Sequence, residues 1–357
     1  MKMTLRWFSK GTDSVKLCQI KQIPCVDGVV SSIDDIPVGE IWSDQEIKQL
    51  KYEIESSGLK LLGIESVNVH DAIKIGAKDR DRYIENYIST LENLGKNGIR
   101  LVCYNFMPVF DWMRTDLNHL NADGSFSMAY RNEILESADP FSLLNSMRSG
   151  SNGFTLPGWE PDRLDSLEKL LRIYDGITAE ELIENLIYFL KAVMPVCRKY
   201  NIKMAVHPDD PPWQVFGLPR VIYNVESVRK VLYGVDDPHN CLTFCTGSLG
   251  ALRSNDLLTI AEKYAERIAF AHLRNIHFSG EKDFEETAHP TPAGSLDMYK
   301  IVKALMNGGF DGIIRPDHGR AVWGEQARPG YGLYDRAMGA CYLYGLWEAI
   351  EKNEAGY

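Results

Sequence analysis

The sequence lacks any long hydrophobic run. Across its 357 residues no apolar stretch approaches the ~20 residues that a membrane-spanning helix requires. The segment MKMTLRWFSK at the start is too short and too charged to resemble a secretion signal. The seven cysteines are an odd number at irregular spacing, which does not suggest a disulfide framework. We therefore expect a protein of the reducing cytoplasm that contacts no membrane.

Two further features are absent. Basic residues are outnumbered by acidic ones, 39 to 49, which gives a net charge of −10 and no clustered positive charge for a phosphate backbone. The glycine-rich phosphate fingerprint of a dinucleotide-binding fold is also missing. A nucleic-acid partner is therefore not expected, and a dinucleotide fold is disfavoured.

The chain does contain short apolar runs that alternate with amphipathic, helix-like stretches. The predicted strands cover residues 3–8, 26–33, 60–66, 100–106, 203–209, 242–248, 267–274 and 312–318. The predicted helices cover residues 43–57, 79–97, 178–200, 254–266, 295–307 and 334–351. Alternating strands and helices are typical of parallel β/α units.

Eight such strands predict an α/β protein with a (β/α)₈ TIM barrel, and we expect residues 1–357 to form a single barrel domain. About 250 residues suffice for that fold. The surplus lies mainly in residues 107–177, which we interpret as a long loop inserted after the fourth strand and a candidate lid. An open, doubly wound sheet with an accessory domain is the alternative architecture.

Reactive side chains occur near the carboxyl ends of four predicted strands. Because alternate residues of a strand share a face, these side chains point away from the faces that would pack under outer helices. They are His207, Cys245, His272 and Asp317. In a barrel the carboxyl ends of the strands converge where the active site lies. Two imidazoles, a thiolate and a carboxylate converging there predict a site for a divalent metal ion.

Each of these residues also has an ordinary interpretation. A cysteine alone in a strand is usually a small buried apolar residue, and an aspartate alone often caps a turn. A closed structural site with four ligands is another possibility, but a position at the barrel mouth favours catalysis. Cys241 is not expected to share an ion with Cys245, because four residues of strand separate their Cα atoms by about 13 Å.

Long segments of the chain resemble a known family, the mannonate dehydratases of hexuronate catabolism, which belong to the xylose-isomerase-like barrels. The resemblance runs through most of the chain, in segments too long and specific to be generic to barrels. They are QIPCVDGVVSSIDDIPVGEIW (22–42), IESVNVHDAIKIG (64–76), CYNFMPVFDWMRTDL (103–117), AVHPDDPPW (205–213), FCTGSLG (244–250), HLRNI (272–276) and RPDHGR (315–320).

The resemblance implies dehydration of D-mannonate, a sugar acid, to 2-dehydro-3-deoxy-D-gluconate, with Mn²⁺ or Fe²⁺ as cofactor. It implies one ion per chain, bound by the same four residues at the strand ends, His207, Cys245, His272 and Asp317. It also implies that His318 takes part in proton transfer, together with Tyr331 or Tyr334. Since His318 directly follows Asp317, we expect it close to the metal but pointing elsewhere.

Two positions depart from the family pattern. Cys25 stands where the pattern has glycine, and the stretch 284–298 looks longer around its prolines. Neither departure touches a proposed ligand. The second could alter the loop that carries His289, so we assign no role to that residue.

Several polar residues are candidates for substrate binding. Arg274 and Arg315 share the inward face and could hold the substrate carboxylate in a planar fork. An equally good interpretation pairs them with Asp209 or Glu65 as salt bridges inside the barrel.

Other candidates lie in loops. Asn105 and His70 follow other strands and are candidates for contact with substrate hydroxyls. Trp112 and Arg114 belong to the inserted region and are suited to close over a sugar acid and exclude water. A purely structural role is an equally good interpretation of these loop residues.

Other functions fit these residues less well. A sugar isomerase or epimerase on the same barrel usually binds its metal through more carboxylates. A binding protein without turnover would not need a proton carrier beside a metal ligand. The thiolate is softer than Mn²⁺ usually prefers, so Fe²⁺, Co²⁺ and Zn²⁺ also fit the site. We expect a homodimer, which is common for barrels of this type.

Overall fold

The computed structural model describes residues 1–9, 11–154 and 167–354. Within them eight parallel strands close into a barrel, which confirms the predicted (β/α)₈ fold. The barrel strands are β1 (Lys2–Arg6), β2 (Gly28–Ser31), β3 (Lys60–Glu65), β4 (Leu101–Tyr104), β7 (Lys203–Val206), β8 (Asn240–Cys245), β9 (Ile268–His272) and β12 (Ile313–Arg315). Each lies within or overlaps one of the eight predicted runs.

Helices cover the outside of the barrel. The described helices are α1 (Leu17–Ile20), α2 (Asp44–Glu55), α3 (Asp71–Lys74), α4 (Arg80–Lys96), α5 (Asn132–Ser137), α6 (Pro140–Gly150), α7 (Leu167–Ile173), α8 (Ala179–Tyr200), α9 (Val225–Gly234), α10 (Thr246–Ala251), α11 (Leu257–Lys263), α12 (Met298–Asn307) and α13 (Tyr334–Glu354). All six predicted helices are present. The sequence analysis missed α9, which completes the unit between β7 and β8.

Local sequence explains where the main helices begin and end. Ser43 caps α2 by accepting a hydrogen bond from the Glu46 N–H, and Thr178 caps α8 in the same way. Gly58 and Gly98 follow α2 and α4 with φ angles of 83° and 80°, a left-handed conformation that glycine adopts without steric cost. These turns lead the chain directly into β3 and β4.

A second, antiparallel sheet lies outside the barrel. Its strands are β5 (Asp116–Leu120), β6 (Phe126–Tyr130), β10 (Ile276–Phe278) and β11 (Phe284–Glu286), in the order β10-β11-β6-β5. The stretch that we predicted as inserted loop therefore contains a hairpin, which pairs with a segment that follows β9. Residues 155–166 of the predicted insertion lie outside the described residues, and its role as a lid stays a prediction.

Apolar side chains fill the barrel beneath its carboxyl-terminal mouth. Cys103, Ala205, Phe270 and Ile313 belong to one buried cluster there. The Phe270 ring meets the His272 imidazole edge-on, with 4.3 Å between ring centroids. The apolar cluster thus lies directly beneath the polar residues of the mouth. None of the described helices is long and apolar enough to cross a bilayer.

Candidate metal centre and active site

Three of the predicted ligand residues come from adjacent strand ends. Cys245 and His272 are the last residues of β8 and β9 and lie opposite each other in the pairing of these strands. His207 follows the last residue of β7. The parallel register therefore places one thiol and two imidazoles side by side at the barrel mouth.

Asp317 lies beside these three residues because of a turn that follows β12, and not because it belongs to a strand. We predicted strand alternation up to residue 318, but β12 ends at Arg315. Asp317 has a φ of 64°, in the left-handed region that aspartate tolerates better than most residues. Nε2–H of the buried His289 donates to the carbonyl of Pro316 at 2.7 Å and supports this turn. The carboxylate thus faces the mouth because of a turn, not because of strand parity.

The donor atoms of these residues lie close together. One donor atom from each of His207, Cys245 and His272 lies within 4.8 Å of the other two, a group that could hold a metal ion. Nε2 of His207 is 3.2 Å from Nδ1 of His272. The Asp317 carboxylate is 3.8 Å from Sγ of Cys245 and 3.7 Å from Nδ1 of His272. Ligands bound to one ion at about 2.0–2.3 Å are separated from each other by roughly 3–4 Å, so His207, Cys245 and His272 could share a single ion, with the Asp317 carboxylate beside two of them.

Hydrogen bonding and burial set the orientation and the pKa values of the two imidazoles. Nδ1–H of His207 donates to the Pro208 carbonyl at 2.7 Å, which leaves the Nε2 lone pair facing the cluster. Burial, helped by Arg315, lowers the pKa of His272 well below its usual range, so its ring is neutral. Burial also opposes the charged form of His207, but its contact with Cys245 raises the pKa of His207 to about 9. Surroundings that attract a proton this strongly also favour a metal cation, which would displace it.

Two arginines hold the Asp317 carboxylate. Nε of Arg274 lies 2.7 Å from Oδ2, and Nη2 of Arg315 donates to Oδ1 at 2.5 Å. Burial favours the protonated form of Asp317, but His318 and these arginines hold its pKa well below the usual range. Arg315 also donates to both oxygens of Glu65, at 2.5 and 3.1 Å. Of the two alternatives for Arg315, the structure has the salt bridge with Glu65.

A buried charge network lies beside the metal cluster. Arg114 donates to both oxygens of Asp210, at 2.8 and 3.0 Å, and to Glu286 at 2.8 Å. Arg274 binds the same two carboxylates at 2.6 and 2.7 Å. We predicted Arg114 as a substrate contact, but its fully buried guanidinium is occupied by these carboxylates. Asp209, which we predicted as a partner of Arg274 or Arg315, instead accepts hydrogen bonds from the backbone N–H groups of residues 221 and 222.

His318 is held between a carboxylate and a phenol. Its Nδ1–H donates to Glu286, 2.9 and 3.0 Å from the two oxygens, and its Nε2 is 3.2 Å from the Tyr331 hydroxyl. Burial opposes the charge of Glu286, but His318, Arg274 and Arg114 lower the pKa of Glu286 to about 2. A permanent carboxylate therefore orients the imidazole and fixes which nitrogen carries the proton.

The structure separates the two tyrosine candidates. Tyr331 is buried, and burial raises the pKa of Tyr331 to about 12, so its phenol is protonated at neutral pH. Tyr334, at the first residue of α13, is 44% exposed and packs near Trp323, with 5.6 Å between ring centroids. Tyr334 is not among the residues that line the cavity beside the cluster, so its position favours Tyr331 of the two predicted alternatives.

A cavity lies beside the cluster. Two of the three remaining substrate-binding candidates line this cavity, and the third does not. Asn105 and Trp112 line it together with His207 and Asp317. His70 caps α3, stacks on Tyr83 with 3.7 Å between ring centroids, and lines a neighbouring cavity. The predicted contact of His70 with a substrate bound at the cluster is therefore not supported by its position.

The chain is similar to known proteins over its whole length. A family model described as D-mannonate dehydratase (UxuA) matches residues 1–356. The chain belongs to the D-mannonate dehydratase family. The mannonate dehydratase of Thermotoga maritima is 54% identical over 359 residues, which cover 100% of both chains. The crystal structure of mannonate dehydratase from Streptococcus suis serotype 2 superposes with a TM-score of 0.89 at 42% identity, over 99% of this chain and 95% of that one.

A more distant similarity concerns the fold alone. A xylose isomerase domain protein from Planctomyces limnophilus has a TM-score of 0.54 at 10% identity, over 100% of this chain and 99% of that one. Together these findings confirm both the family and the xylose-isomerase-like barrel that the sequence motifs indicated.

Sequence reasoning missed three charged residues that shape the site of this family member. Glu286 holds His318, Asp210 neutralises the buried arginines, and Arg6 lines the cavity. Asp210 lies in the motif AVHPDDPPW beside Asp209, and the sequence gives no reason to prefer one aspartate to the other. Glu286 carries no local signal, because its role depends on the pairing of β11 with β6.

Proposed function

We propose that this chain removes water from D-mannonate to give 2-dehydro-3-deoxy-D-gluconate. Membership of the D-mannonate dehydratase family supports the reaction. One observation carries the proposal. The candidate metal ligands His207, Cys245 and His272 lie beside the imidazole of His318, whose orientation is fixed by hydrogen bonds. His318 is the residue next to Asp317 in the chain, and its ring hydrogen-bonds to both Glu286 and Tyr331.

The reaction needs a base at C2 and an acid at C3 of the sugar acid. The C2 proton is weakly acidic, since the carbanion develops beside a carboxylate. The departing C3 hydroxyl must leave as water. We assign the base role to Nε2 of His318, because Glu286 holds the proton on its other nitrogen. We assign the acid role to Tyr331, whose raised pKa of about 12 keeps the phenol protonated.

The hydrogen bond between these two residues closes the proton cycle. His318 takes the C2 proton, and Tyr331 gives its proton to the C3 hydroxyl, which leaves as water. His318 then returns a proton to the phenolate across the 3.2 Å contact. The enol product rearranges to the 2-keto acid with a proton from solvent at C3. The net change is the loss of one water molecule, and both residues return to their starting states.

We further propose that His207, Cys245, His272 and Asp317 hold one divalent ion per chain, Mn²⁺ or Fe²⁺. A divalent ion there supplies a Lewis acid for the negative charge that develops beside the carboxylate. Two imidazoles, a thiolate and a carboxylate are a suitable donor set for such an ion, and its binding would release the protons held by His207 and Cys245. The arginines that hold Asp317 restrict its carboxylate to one orientation.

One assay tests the function. Protein stripped of metal and reloaded with Mn²⁺, Fe²⁺ or Zn²⁺ is given D-mannonate in D₂O, and the products are followed by NMR. We expect the 2-keto-3-deoxy acid with one deuterium at C3. An isomeric sugar acid with no loss of water would support the isomerase or epimerase alternative, and no product with any ion would refute the proposal.

The cytoplasmic location and the homodimer also stay proposals. Sedimentation of the metal-loaded protein at several concentrations tests the second of these, since a stable dimer keeps twice the chain mass on dilution.

A further inference from the structure

Arg6 is the cavity arginine with an unused terminal nitrogen. It ends β1, is 4% exposed, and lines the same cavity as His207 and Asp317. Its Nη2 donates to the Ser32 hydroxyl at 2.8 Å, and its guanidinium lies 4.5 Å from the centre of the Phe8 ring. Among the residues that the structure describes, its buried Nη1 has no hydrogen-bond partner.

The other two arginines of the cavity are already occupied. Both terminal nitrogens of Arg274 bind carboxylates, those of Glu286 and Asp210. Both terminal nitrogens of Arg315 bind carboxylates as well. Neither can take a substrate carboxylate in a planar fork without giving up a buried ion pair, which is costly.

Arg6, in contrast, makes no close ion pair with the residues that the structure describes. The Asp34 carboxylate is 4.0 Å from Nη2, and the Asp34 side chain is 54% exposed to solvent. A buried guanidinium with one free terminal N–H and little compensating charge favours an anionic oxygen as its partner. Ser32 and Phe8 fix the orientation of the group before any ligand binds.

We propose that Arg6 binds the carboxylate of the substrate and selects sugar acids over uncharged sugars. The proposal rests on the proposed function, because it assumes that the cavity receives a sugar acid. It assigns to Arg6 the role that we had predicted for Arg274 and Arg315. Arg6 is a binding residue here and takes no part in proton transfer.

Calorimetric titration of the metal-loaded protein, with Tyr331→Phe in every variant to suppress turnover of D-mannonate, tests the assignment with two ligands of equal length. D-mannonate carries the carboxylate, and D-mannitol replaces it with a hydroxyl group. Variants Arg6→Gln and Arg6→Lys are compared with Arg220→Gln. Arg220 is also buried with an unpartnered Nη2, but it does not line the cavity.

We expect Arg6→Gln to weaken D-mannonate binding by about 10- to 100-fold, the usual range for a lost charged hydrogen bond. D-mannitol binding should change less than about 3-fold, and Arg6→Lys should fall between, because it keeps the charge without the fork. Arg220→Gln should leave the ratio of the two affinities unchanged. Equal weakening of both ligands by Arg6→Gln, or no weakening, would overturn the proposal.

Failure of the proposed function would look different. In that case wild-type protein forms no 2-keto acid from D-mannonate, whereas the affinity ratio still reports whether Arg6 recognises a carboxylate.

A separate observation points to a thiol modification site away from the cavity. Sγ of Cys25, which follows α1, is 3.8 Å from Sγ of Cys341 on α13. The two residues are 316 positions apart in the chain. A disulfide requires about 2.05 Å between sulfurs, so small side-chain rotations must bring them together. We infer that these cysteines form a reversible disulfide that joins the start of the barrel to its last helix.

The reaction needs a small-molecule disulfide such as oxidised glutathione. The exposed Cys341 thiolate attacks one of its sulfurs and releases one thiol. The Cys25 thiolate then displaces the second thiol, so the two cysteines are oxidised and one small disulfide is reduced to two thiols. Burial and the neighbouring Cys341 raise the pKa of Cys25 to about 12, which makes Cys341 the first to react.

Mass spectrometry of native protein treated with oxidised glutathione tests the inference. We expect a cross-linked peptide pair containing residues 25 and 341 in wild type and in Cys18→Ser, a control at another exposed cysteine. Cys25→Ser should instead keep a stable glutathione adduct on Cys341. A stable adduct on Cys341 in wild type, or no reaction at all, would contradict the inference.

Discussion

Replacing Glu286 with glutamine gives the sharpest test of the buried charge network. The substitution keeps the shape of the side chain and removes its charge. Glu286 contacts His318, Arg114 and Arg274 at 2.7–3.0 Å. Its pKa is lowered from 4.5 to about 2, which at ~1.4 kcal/mol per pKa unit corresponds to roughly 3 kcal/mol of stability at neutral pH.

The pH dependence has a definite sign. Because the folded-state pKa of Glu286 is depressed, its contribution is complete above the unfolded pKa of about 4.5 and is lost as the pH falls towards 2. We therefore expect Glu286→Gln to lower the free energy of unfolding by roughly 3 kcal/mol at pH 7 and by less as the pH falls below about 4.5. Urea unfolding at pH 7, 5 and 4 measures the difference.

The neighbouring Glu285 supplies a matched control. It lies on the same strand and pairs with Arg131 at 2.7 Å, with side-chain exposures of 15% and 24%, and it also lies 4.0 Å from Nε2 of His277. Glu285→Gln should lower the free energy of unfolding by less than about 1 kcal/mol, because its pair with Arg131 is partly open to solvent. It should also leave kcat unchanged, whereas Glu286→Gln should lower kcat by at least about 10-fold through loss of His318 orientation. Equal effects of the two substitutions on stability and kcat would refute the reasoning.

Three further outcomes are expected. Tyr331→Phe should lower kcat by about 10²-fold or more in the same NMR assay, because the Tyr331 hydroxyl contacts the His318 ring. Tyr334→Phe should leave kcat unchanged. A large loss of kcat in Tyr334→Phe alone would reverse the assignment. Cys245→Ala should bind less than one metal ion per chain by elemental analysis. Cys241→Ala, at another buried cysteine of β8, should bind as much metal as wild type. Equal metal content in the two variants would remove Cys245 from the ligand set. Enzyme loaded with Fe²⁺ should lose activity in air faster than enzyme loaded with Mn²⁺, through loss of iron or oxidation of Cys245; full activity after prolonged aeration counts against a thiolate ligand.

Much of the architecture was predictable because it depends on short-range patterns. Strands of a parallel barrel are buried on both sides and appear as apolar runs, and the helices between them bury one face. Caps such as Ser43 and Thr178 act within one turn of their own helix. The missed α9 and the hairpin β5–β6 show the limit of this reasoning. A short helix resembles a loop, and a hairpin outside the barrel depends on the distant strand β11 that it pairs with.

The candidate metal ligands were predictable for a related reason. Cys245 and His272 are the last residues of their strands, and parallel strands bring their carboxyl ends to one face. His207, just beyond β7, follows the same rule. Asp317 was selected by a parity argument that does not apply to it, since β12 ends two residues earlier. The turn that orients it is formed by local backbone conformation, which strand periodicity does not describe.

The sequence by itself determined the barrel, the family and the position of the reactive residues along the chain. Only the tertiary structure decided which charges pair. Glu65 and Arg315 are 250 residues apart, and Arg114 and Glu286 are 172 apart. No local pattern encodes such contacts, because they arise when the barrel closes and β11 pairs with β6. For that reason Glu286 was found only in the structure, and the predicted substrate residue Arg114 proved to bind buried carboxylates. Arg6 was also found only there, as a cavity arginine whose Nη1 has no partner among the described residues.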